Sequence, residues 1–376
     1  MPTNKLTYKK HKINKSTTKS KTKSKTKSKT KSKTKLNNNK KVKIIAHVIR
    51  GFGNKVFSLI YALYLYNHYG GKNNCIIYCA VGSSNHEKKG DPYVDNIFIK
   101  LFNEKINYLD YKNYTQLKKF KKLNNLVNFN EINNLKKLPK YTDLDLNKYN
   151  EFGILYNLTY QMYTTFNLLD KTLFKFDDRF IKNRIDSKVN IIVNNYNTHP
   201  YAIVHIRYGD KLDIAYHDMN KSSYDNFLIY TPQFYIDKIN ILIKEHPELT
   251  IYIVSDSDTI VKEFIIKAGN FYNDEYKNKI FLLEGLKWWD SYYLLYKASY
   301  IIMSISTFCF SGAYFNDNPK LKCDLYIYHL DGKLKIPEEY ATSSKWNLRI
   351  NNKEDKKYIL NYNPKEIYRL IKYKKE

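Results

Sequence analysis

The sequence contains few cysteines, and their positions exclude the common cysteine-based sites. Its 376 residues include four Cys, with no Cys-x-x-Cys pair and no zinc-ligand spacing. These residues are Cys75, Cys79, Cys309 and Cys323. We therefore predict buried, reduced thiols instead of a disulfide framework or a structural zinc site.

Long apolar segments are also missing from the sequence. No apolar run reaches the roughly 18 to 20 residues that a membrane-spanning helix needs. The N-terminal region has neither the apolar centre of a secretory signal nor the Arg-rich pattern of a transit peptide. We therefore expect a soluble, cytoplasmic protein without a signal peptide or a transmembrane helix.

Acidic residues are absent from residues 1–41, which hold 16 of the 64 Lys and Arg residues. This segment includes a Lys-Ser-Lys-Thr repeat and has no periodic apolar positions to bury, so we expect a disordered basic tail. The tail accounts for 16 of the 28 net positive charges. It is either a low-complexity extension or an arm that contacts a polyanion.

The rest of the chain has the composition of a folded protein with two domains. Apolar residues make up 43% of the sequence and aromatic residues 16%, which is enough to fill two cores. We place the domain boundary near residue 196, so the predicted domains are 42–196 and 197–376.

The first folded segment has the pattern of a strand, a glycine loop and a helix. The apolar run 42–49 predicts a buried strand, and periodic apolar positions from Val56 to Tyr69 predict a helix. Arg50-Gly-Phe-Gly-Asn54 lies between them. Such a loop can aim backbone N–H groups at a phosphate or a sugar hydroxyl, or it can be a tight turn without a ligand. It lacks the third glycine of a dinucleotide-binding motif and the Lys-Ser/Thr pair of a P-loop.

The middle of the chain has a weaker pattern than the second half. In the middle, the predicted strands are 75–79, 106–109 and 126–129, the predicted helices are 96–103, 112–122, 158–169 and 177–186, and 130–150 is a predicted surface connection. In the second half, the predicted strands are 201–206, 249–254, 279–283, 300–304 and 323–328, and the predicted helices are 232–245, 259–267, 289–299 and 364–373. This alternation is typical of a parallel, doubly wound sheet.

Polar residues follow three strands of the second half. The pairs are Arg207 with Asp210, Ser255 with Asp256, and Ser306 with Thr307. Because the carboxyl ends of parallel strands meet at one edge of a sheet, we expect these side chains to line one crevice. His205 and Arg207 alternate along the strand and so share one side of its exit. A guanidinium, hydroxyl donors and helix N-termini are suited to holding a nucleotide diphosphate.

Two other interpretations of these residues are open. Arg207 and Asp210 can form an ordinary surface ion pair, and Asp256 with Asp258 has the spacing of a carboxylate pair that binds a divalent cation. The position of the second pair, between a strand and a helix, also suits helix capping by Ser255 or Asp258. We favour capping over a metal site.

Four segments resemble, in the same order, the motifs of the α-1,2-fucosyltransferases, glycosyltransferase family 11. Arg50-Gly-Phe-Gly-Asn-Lys-Val-Phe57 resembles their Gly-Gly-Leu-Gly-Asn-Gln-Met-Phe segment, and His205-Ile-Arg-Tyr-Gly-Asp210 resembles their His-x-Arg-Arg-Gly-Asp segment. Ser255-Asp256 is similar to a later Ser-Asp motif, and Ser306-Thr-Phe-Cys-Phe-Ser-Gly-Ala313 is similar to Ser-Thr-Phe-Ser-Trp-Trp-Gly-Ala. The resemblance covers residues 42–70 and 200–318.

The resemblance implies a GT-B-like fold, in which two Rossmann-like domains face a cleft. It also implies an inverting, metal-independent transfer of L-fucose from GDP-fucose to a glycan hydroxyl, with residues 42–196 on the acceptor side and 197–376 binding the nucleotide sugar. By position, Arg207 holds the β-phosphate, and Arg207 and Asp210 are the implied catalytic residues. The implied donor-binding residues are Gly53, Asn54, His205, Arg207, Asp256, Ser306, Thr307 and Phe308.

The sequence departs from the family motifs at several positions. Tyr208 replaces the second Arg, Lys55 replaces Gln, and Cys309 and Phe310 alter the segment after Ser306-Thr-Phe. A different nucleotide sugar as donor therefore stays open, as does a non-catalytic protein that binds a polyanion through its tail. The candidates for a general base are His47, Asp210, Asp213 and His217.

Overall fold

The structure is a computed structural model. It describes residues 41–48, 51–81, 106–110, 151–154, 175–176, 178–218, 229–327, 346–350, 357–360 and 363–375. Apart from Lys41, the predicted tail lies outside these residues. Also outside them lie the predicted helices 96–103, 112–122 and 158–169, the predicted strand 126–129 and the predicted connection 130–150.

A four-stranded parallel sheet forms in the first half of the chain. Strand β1 (Val42–Val48) leads into helix α1 (Phe52–His68), and strands β2 (Cys75–Val81), β3 (Ile106–Asp110) and β4 (Glu151–Ile154) follow. The strand order is β3-β2-β1-β4, and the pairings are parallel. Strand β1 therefore has β2 on one side and β4 on the other.

A six-stranded parallel sheet forms in the second half, after helices α2 (Asp178–Arg184) and α3 (Ser187–Asn194). Its strands are β5 (Tyr201–Ile206), β6 (Thr250–Ser255), β7 (Ile280–Leu282), β8 (Tyr300–Ile302), β9 (Lys322–Ile327) and β10 (Trp346–Ile350). The order is β10-β9-β8-β5-β6-β7, with parallel pairings. The predicted α/β class with two Rossmann-like parallel sheets is confirmed.

Helices follow most strands of the second sheet. They are α4 (Gly209–Asp218), α5 (Pro232–Glu245), α6 (Asp258–Val261) with a π-helical continuation (Lys262–Lys267), α7 (Trp288–Lys297), α8 (Thr307–Phe315) and α9 (Pro364–Lys375). The start of α5 is the predicted one. Thr231 Oγ1 accepts a hydrogen bond from the Phe234 N–H at 3.3 Å, and Pro232 occupies the first helical position.

Several elements differ from the sequence prediction. Helix α1 begins at Phe52, inside the predicted glycine loop. Four elements, α3, α4, β4 and β10, are not predicted from the sequence. Helix α4 has no Ser, Thr or Asn before its first residue, because its N-terminus is capped by a side chain from another strand, as described below.

Two apolar clusters lie on opposite faces of strand β5. Tyr201 and Ile203 belong to a cluster that also contains residues of β1, α1, α7 and α8. Ala202, Val204 and Ile206 belong to a second cluster with residues of α5 and α9. Because α1 packs against both β1 and α8, the first cluster links the two sheets. In the described part of the chain, no helix is both long enough and apolar enough to cross a membrane.

Candidate functional site

Each sheet has a switch point, at which the chain begins to add strands on the opposite side. In the second sheet, β6 and β7 lie on one side of β5, and β8, β9 and β10 lie on the other. In the first sheet, β2 and β3 lie on one side of β1 and β4 on the other. Open parallel sheets bind ligands beyond the carboxyl ends of the strands at such points. The ends of β1, β5 and β8 therefore mark the candidate site.

The segments that follow β1 and β8 touch each other. Gly53 in α1 lies so close to α8 that a Cβ atom at this position would be 2.2 Å from the backbone nitrogen of Phe308. Beside it, Thr307 Oγ1 donates a hydrogen bond of 3.0 Å to Asn54 Oδ1. Four predicted donor-site residues thus meet where the N-terminal turns of α1 and α8 come together. Gly53 and Asn54 belong to α1, and Thr307 and Phe308 belong to α8.

Aromatic rings pack around this contact. The ring of Phe308 is stacked on His205, with centroids 5.5 Å apart, and meets Phe52 edge-on at 5.8 Å. Phe52 is also stacked on Trp288 at 4.2 Å. The Trp288 Nε1 atom is buried and has no hydrogen-bond partner among the described residues. Phe52 and Phe308 lie in the first turns of α1 and α8, so these rings form the apolar surroundings of both helix ends.

His205, at the end of β5, is buried and neutral. Its Nδ1 atom lies 2.6 Å from the hydroxyl oxygen of Ser304, which follows β8. Burial, and then the positive charge of Arg207, lower the pKa of His205 to about 3. At neutral pH the imidazole can therefore form hydrogen bonds with a ligand, but it does not supply a positive charge.

This neutral histidine makes the stability of the protein depend on pH. At pH values above the usual pKa of 6.5 the imidazole is neutral in both the folded and the unfolded chain. Below 6.5 the unfolded chain takes up a proton, whereas the folded chain does not until the pH falls to about 3. We therefore expect His205 to lower the free energy of unfolding by about 1.4 kcal/mol for each pH unit lost between these values.

Urea denaturation at a series of pH values between the two pKa values measures this dependence. The slope for His205→Asn should be flatter than the wild-type slope by the amount given above. His199→Asn, which removes an exposed imidazole, is the matched control for the substitution itself. Equal slopes for the wild type and His205→Asn would show that His205 takes up its proton normally in the folded protein.

Arg207 forms an ion pair within its own loop. Its Nη2 atom donates to both carboxylate oxygens of Asp210, at 2.8 and 3.1 Å. Its Nε atom is buried, lies 3.7 Å from Asp256 Oδ2 and has no hydrogen-bond partner in the described residues. The surface ion pair considered from the sequence is therefore present. The Nε atom of Arg207 is a buried hydrogen-bond donor that this pair does not satisfy.

Asp256 holds the loop that carries Arg207. Its Oδ1 atom accepts hydrogen bonds from the backbone N–H groups of Tyr208 and Gly209, both at 2.8 Å. Gly209 begins α4, so a carboxylate from the end of β6 caps this helix. Burial raises the pKa of Asp256, while the Gly209 N–H, Arg207 and the Tyr208 N–H oppose this change.

The capping predicted for Ser255 or Asp258 is wrong. Ser257 is the N-cap residue of α6 and makes no side-chain cap hydrogen bond. Ser255 Oγ instead accepts a hydrogen bond from the Ser257 N–H at 3.0 Å, and Asp258 Oδ2 accepts one from the Gly285 N–H at 3.0 Å. The described residues contain no group of three or more His, Cys, Asp or Glu side chains that could hold a metal ion.

The N-terminus of α8 has no side-chain cap. Ser306 occupies the N-cap position without a cap hydrogen bond, and the first turn contains no acidic residue. Ser306 is only 7% exposed, and its Oγ atom has no hydrogen-bond partner within the described ranges. A buried hydroxyl in this state costs about 1 to 3 kcal/mol. Helix α1 also lacks a side-chain cap hydrogen bond and an acidic first turn, so no acidic residue in the first turn offsets the positive end of either helix.

Tyr208 does not face the site. Its side chain is fully buried in the second apolar cluster, and its hydroxyl donates to the backbone oxygen of Tyr230 at 3.0 Å. The position at which the family motif has a second Arg therefore belongs to the core behind β5. A tyrosine at this position therefore fits the apolar core, and it does not change the positive charge on the side of the strand that carries Arg207.

The structure separates the four candidates for a general base. Asp210 lies beside Arg207, whereas Asp213 accepts a hydrogen bond of 2.8 Å from Lys374 and is held by it. His217 is exposed near the end of α4. The side chain of His47 lies outside the described part of the structure. Among the described candidates, Asp210 is the one that contacts Arg207.

Two residues of the site are not found from the sequence. Ser304 contacts His205, and a signal for it exists, because it lies two residues before Ser306 at the same strand end. Lys374 reaches the Arg207 loop from α9, and no local sequence pattern indicates this contact. The residue types of a strand end can therefore be found from sequence, but their distant partners cannot.

Solved structures of three glycosyltransferases are distantly similar to this chain. The fucosyltransferase NodZ from Bradyrhizobium is 13% identical, the match covers 73% of this chain and 92% of that chain, and the TM-score is 0.43. POFUT1 in complex with GDP is 10% identical, with 74% and 96% covered and a TM-score of 0.42. The E. coli ADP-heptose LPS heptosyltransferase II is 11% identical, with 88% and 98% covered and a TM-score of 0.41. No protein-family model and no curated protein matches the chain.

Proposed function

We propose that this chain is an inverting, metal-independent glycosyltransferase that transfers L-fucose from GDP-fucose to a hydroxyl group of an acceptor glycan. The observation that carries the proposal is the combination, at the switch point between β5 and β8, of Arg207 with the uncapped N-terminus of α8. The order of the four motif segments in the sequence supports fucose as the transferred sugar.

The chemistry of this transfer requires positive groups at the leaving group. The bond between the anomeric carbon of the sugar and the β-phosphate oxygen breaks, so negative charge grows on the diphosphate while the sugar ring becomes cation-like. Arg207 and the positive ends of α1 and α8 supply the opposite charge. His205 is neutral and contributes a hydrogen bond to the nucleotide.

In the structure the charge of Arg207 is offset by Asp210 and lies near Asp256. In our proposal the diphosphate replaces Asp210 as the partner of the guanidinium. Nε and Nη2 form one edge of the guanidinium, and such an edge binds a phosphate group through two parallel hydrogen bonds. The buried Nε atom, which has no hydrogen-bond partner among the described residues, thereby gains one.

The release of Asp210 gives this residue a second role. When the diphosphate takes the place of Asp210 at Arg207, the Asp210 carboxylate accepts the proton of the acceptor hydroxyl. The acceptor oxygen then forms a bond to the anomeric carbon as the bond to the β-phosphate breaks, and GDP leaves with the electron pair. Ser306 and the amide nitrogen of Asn54 donate hydrogen bonds to the phosphate groups from the two helix ends, and Thr307 keeps Asn54 in place through its hydrogen bond to Asn54 Oδ1.

The thermal melting of the full-length protein with a panel of nucleotides tests the donor. A ligand present at 100 times its dissociation constant adds about 2.7 kcal/mol to the free energy of unfolding, which is readily visible as a higher melting temperature. We expect GDP and GDP-fucose to raise the melting temperature equally with and without EDTA. Uridine and adenosine diphosphates and their sugar derivatives are the matched comparison and should have smaller effects.

The other outcomes separate the parts of the proposal. A larger rise in melting temperature with a different nucleotide sugar would support a glycosyltransferase but contradict GDP-fucose as its donor. A shift that disappears in EDTA would overturn metal independence. An unchanged melting temperature with every nucleotide would contradict the proposed enzymatic activity. Polyanion binding by residues 1–41 would then be the function to test.

A further inference from the structure

Lys374, in the last turn of α9, contacts the loop that carries Arg207. Its Nζ atom donates to the backbone oxygen of Gly209 and to Oδ2 of Asp213, both at 2.8 Å. Both acceptors belong to α4, which begins two residues after Arg207. The contact joins Lys374 to a position 165 residues earlier in the sequence.

The peptide groups on both sides of Gly209 are held by side chains from different elements. The Gly209 N–H donates to Asp256 Oδ1 at 2.8 Å, and the Gly209 carbonyl oxygen accepts from Lys374 at 2.8 Å. A Cβ atom at Gly209 would lie 2.7 Å from Asp256 Oδ2, so the backbone rests directly against this carboxylate. The first residue of α4 is therefore fixed between the end of β6 and the end of α9.

We propose that Lys374 is a positioning residue of the donor site. It fixes the start of α4 and so holds the backbone beside Arg207 in the position from which the guanidinium binds a nucleotide diphosphate. It acts through the Gly209 carbonyl and Asp213, which are the groups that its ammonium touches. The inference rests on the proposed function, because the ligand that Arg207 holds is the one proposed above.

The position of α9 does not depend on the Lys374 ammonium. The helix is docked by side chains that are buried in the second apolar cluster, namely Ile367, Leu370 and Ile371. In addition, the Arg369 guanidinium lies 4.4 Å from the ring of Phe264, and the ring of Tyr373 meets Phe264 edge-on at 5.1 Å. Lys374→Met should therefore remove the two hydrogen bonds and leave the helix in place.

Calorimetric titration of the full-length protein with GDP measures the effect on the site. We expect Lys374→Met to raise the dissociation constant of GDP about tenfold, because two charge-assisted hydrogen bonds that hold the loop are lost. The KM for GDP-fucose should rise by the same factor while kcat changes little, and the melting temperature without ligand should stay close to that of the wild type. Lys374→Arg should restore most of the affinity, since a guanidinium also donates to both acceptors.

Lys365→Met is the matched control, because it removes an exposed lysine from the other end of the same helix. Its dissociation constant should equal that of the wild type. An equal loss of affinity in Lys365→Met and Lys374→Met would mean that the affinity for GDP depends on the net charge of α9 and not on the contact of Lys374 with Gly209 and Asp213. Wild-type affinity in Lys374→Met would overturn the proposal directly.

Hydrogen exchange of the backbone amides over residues 209–213 distinguishes this inference from the proposed function. Lys374→Met should accelerate exchange in this segment without any nucleotide present. If the wild type binds no nucleotide, the proposed function is wrong, and exchange alone decides whether Lys374 fixes the start of α4. Unchanged exchange in that case would overturn the positioning role as well.

Discussion

Arg207→Ala is expected to lower kcat/KM for transfer from GDP-fucose by about 100- to 1,000-fold, equivalent to about 3 to 4 kcal/mol of transition-state stabilisation. The loss is large because the guanidinium is the fixed cation that the proposal assigns to the departing diphosphate. Neutral His205 cannot replace it, since its pKa is lowered to about 3. Arg207→Lys should recover only part of the rate, because an ammonium lacks the planar edge formed by Nε and Nη2.

The fold of the Arg207→Ala variant should be intact. The side chains of Arg207 and Asp210 are 31% and 27% exposed, and an ion pair of this kind contributes roughly 0 to 1 kcal/mol to stability. Asp256 keeps its two backbone N–H donors in the variant. Arg179→Ala, which removes an exposed arginine from α2, is the control and should retain wild-type kcat/KM. Steady-state turnover at the wild-type rate by Arg207→Ala would contradict the proposed mechanism.

The strand that leads to Arg207 could be predicted because it is buried on both faces. Such strands appear in a sequence as continuous apolar runs, and β5 is predicted and observed over Tyr201–Ile206. The alternation of side chains along this strand also predicts on which face Tyr208 and Arg207 lie, which the comparison of motifs does not. Tyr208 has the same parity as Val204 and Ile206, which face the second cluster, whereas Arg207 has the parity of His205. The strand pattern therefore indicates that Tyr208 is a core residue, although the aligned motif suggests a site residue.

The partners of the site residues could not be predicted, because they come from distant parts of the chain. Tyr208 and Asp256 are 48 positions apart, His205 and Ser304 are 99 apart, and Gly209 and Lys374 are 165 apart. Spacing within a motif predicts which residues share a strand end, but not which polar group from another element reaches them. For the same reason α4 is missed, since its cap is supplied by Asp256 and not by a neighbouring residue.

Gly53→Ala is expected to lower the free energy of unfolding by about 3 kcal/mol, at the upper end of the range for overpacked positions. Gly53 is not among the glycines with a positive φ angle in the described chain, so the backbone conformation is not the reason for a glycine here. The reason is space, because a Cβ atom would lie 2.2 Å from the Phe308 nitrogen and 2.5 Å from the Thr307 carbonyl carbon. Both are backbone atoms that cannot rotate away, so α1 and α8 must move apart.

That movement should also disrupt the proposed donor site. It separates the two uncapped helix ends and stretches the 3.0 Å hydrogen bond from Thr307 to Asn54. We therefore expect the dissociation constant of GDP to rise at least about tenfold, which corresponds to about 1.4 kcal/mol of binding free energy. The destabilisation and the loss of affinity share one cause, the close approach of two helices at the switch points of two sheets.

Gly51→Ala separates this cause from a general effect of adding a methyl group to the glycine loop. Gly51 is the N-cap residue of α1, with a φ angle of −61°, and apart from its chain neighbours no atom of the described residues lies within 4 Å of the position that its Cβ would take. Urea denaturation and GDP titration of both variants should therefore show near wild-type values for Gly51→Ala and losses in both measurements for Gly53→Ala. Wild-type stability of Gly53→Ala would mean that α1 and α8 are not in direct contact in solution. The Gly-x-Gly segment would then be a tight turn, and the anion site would have to be built from α8 and Arg207 alone.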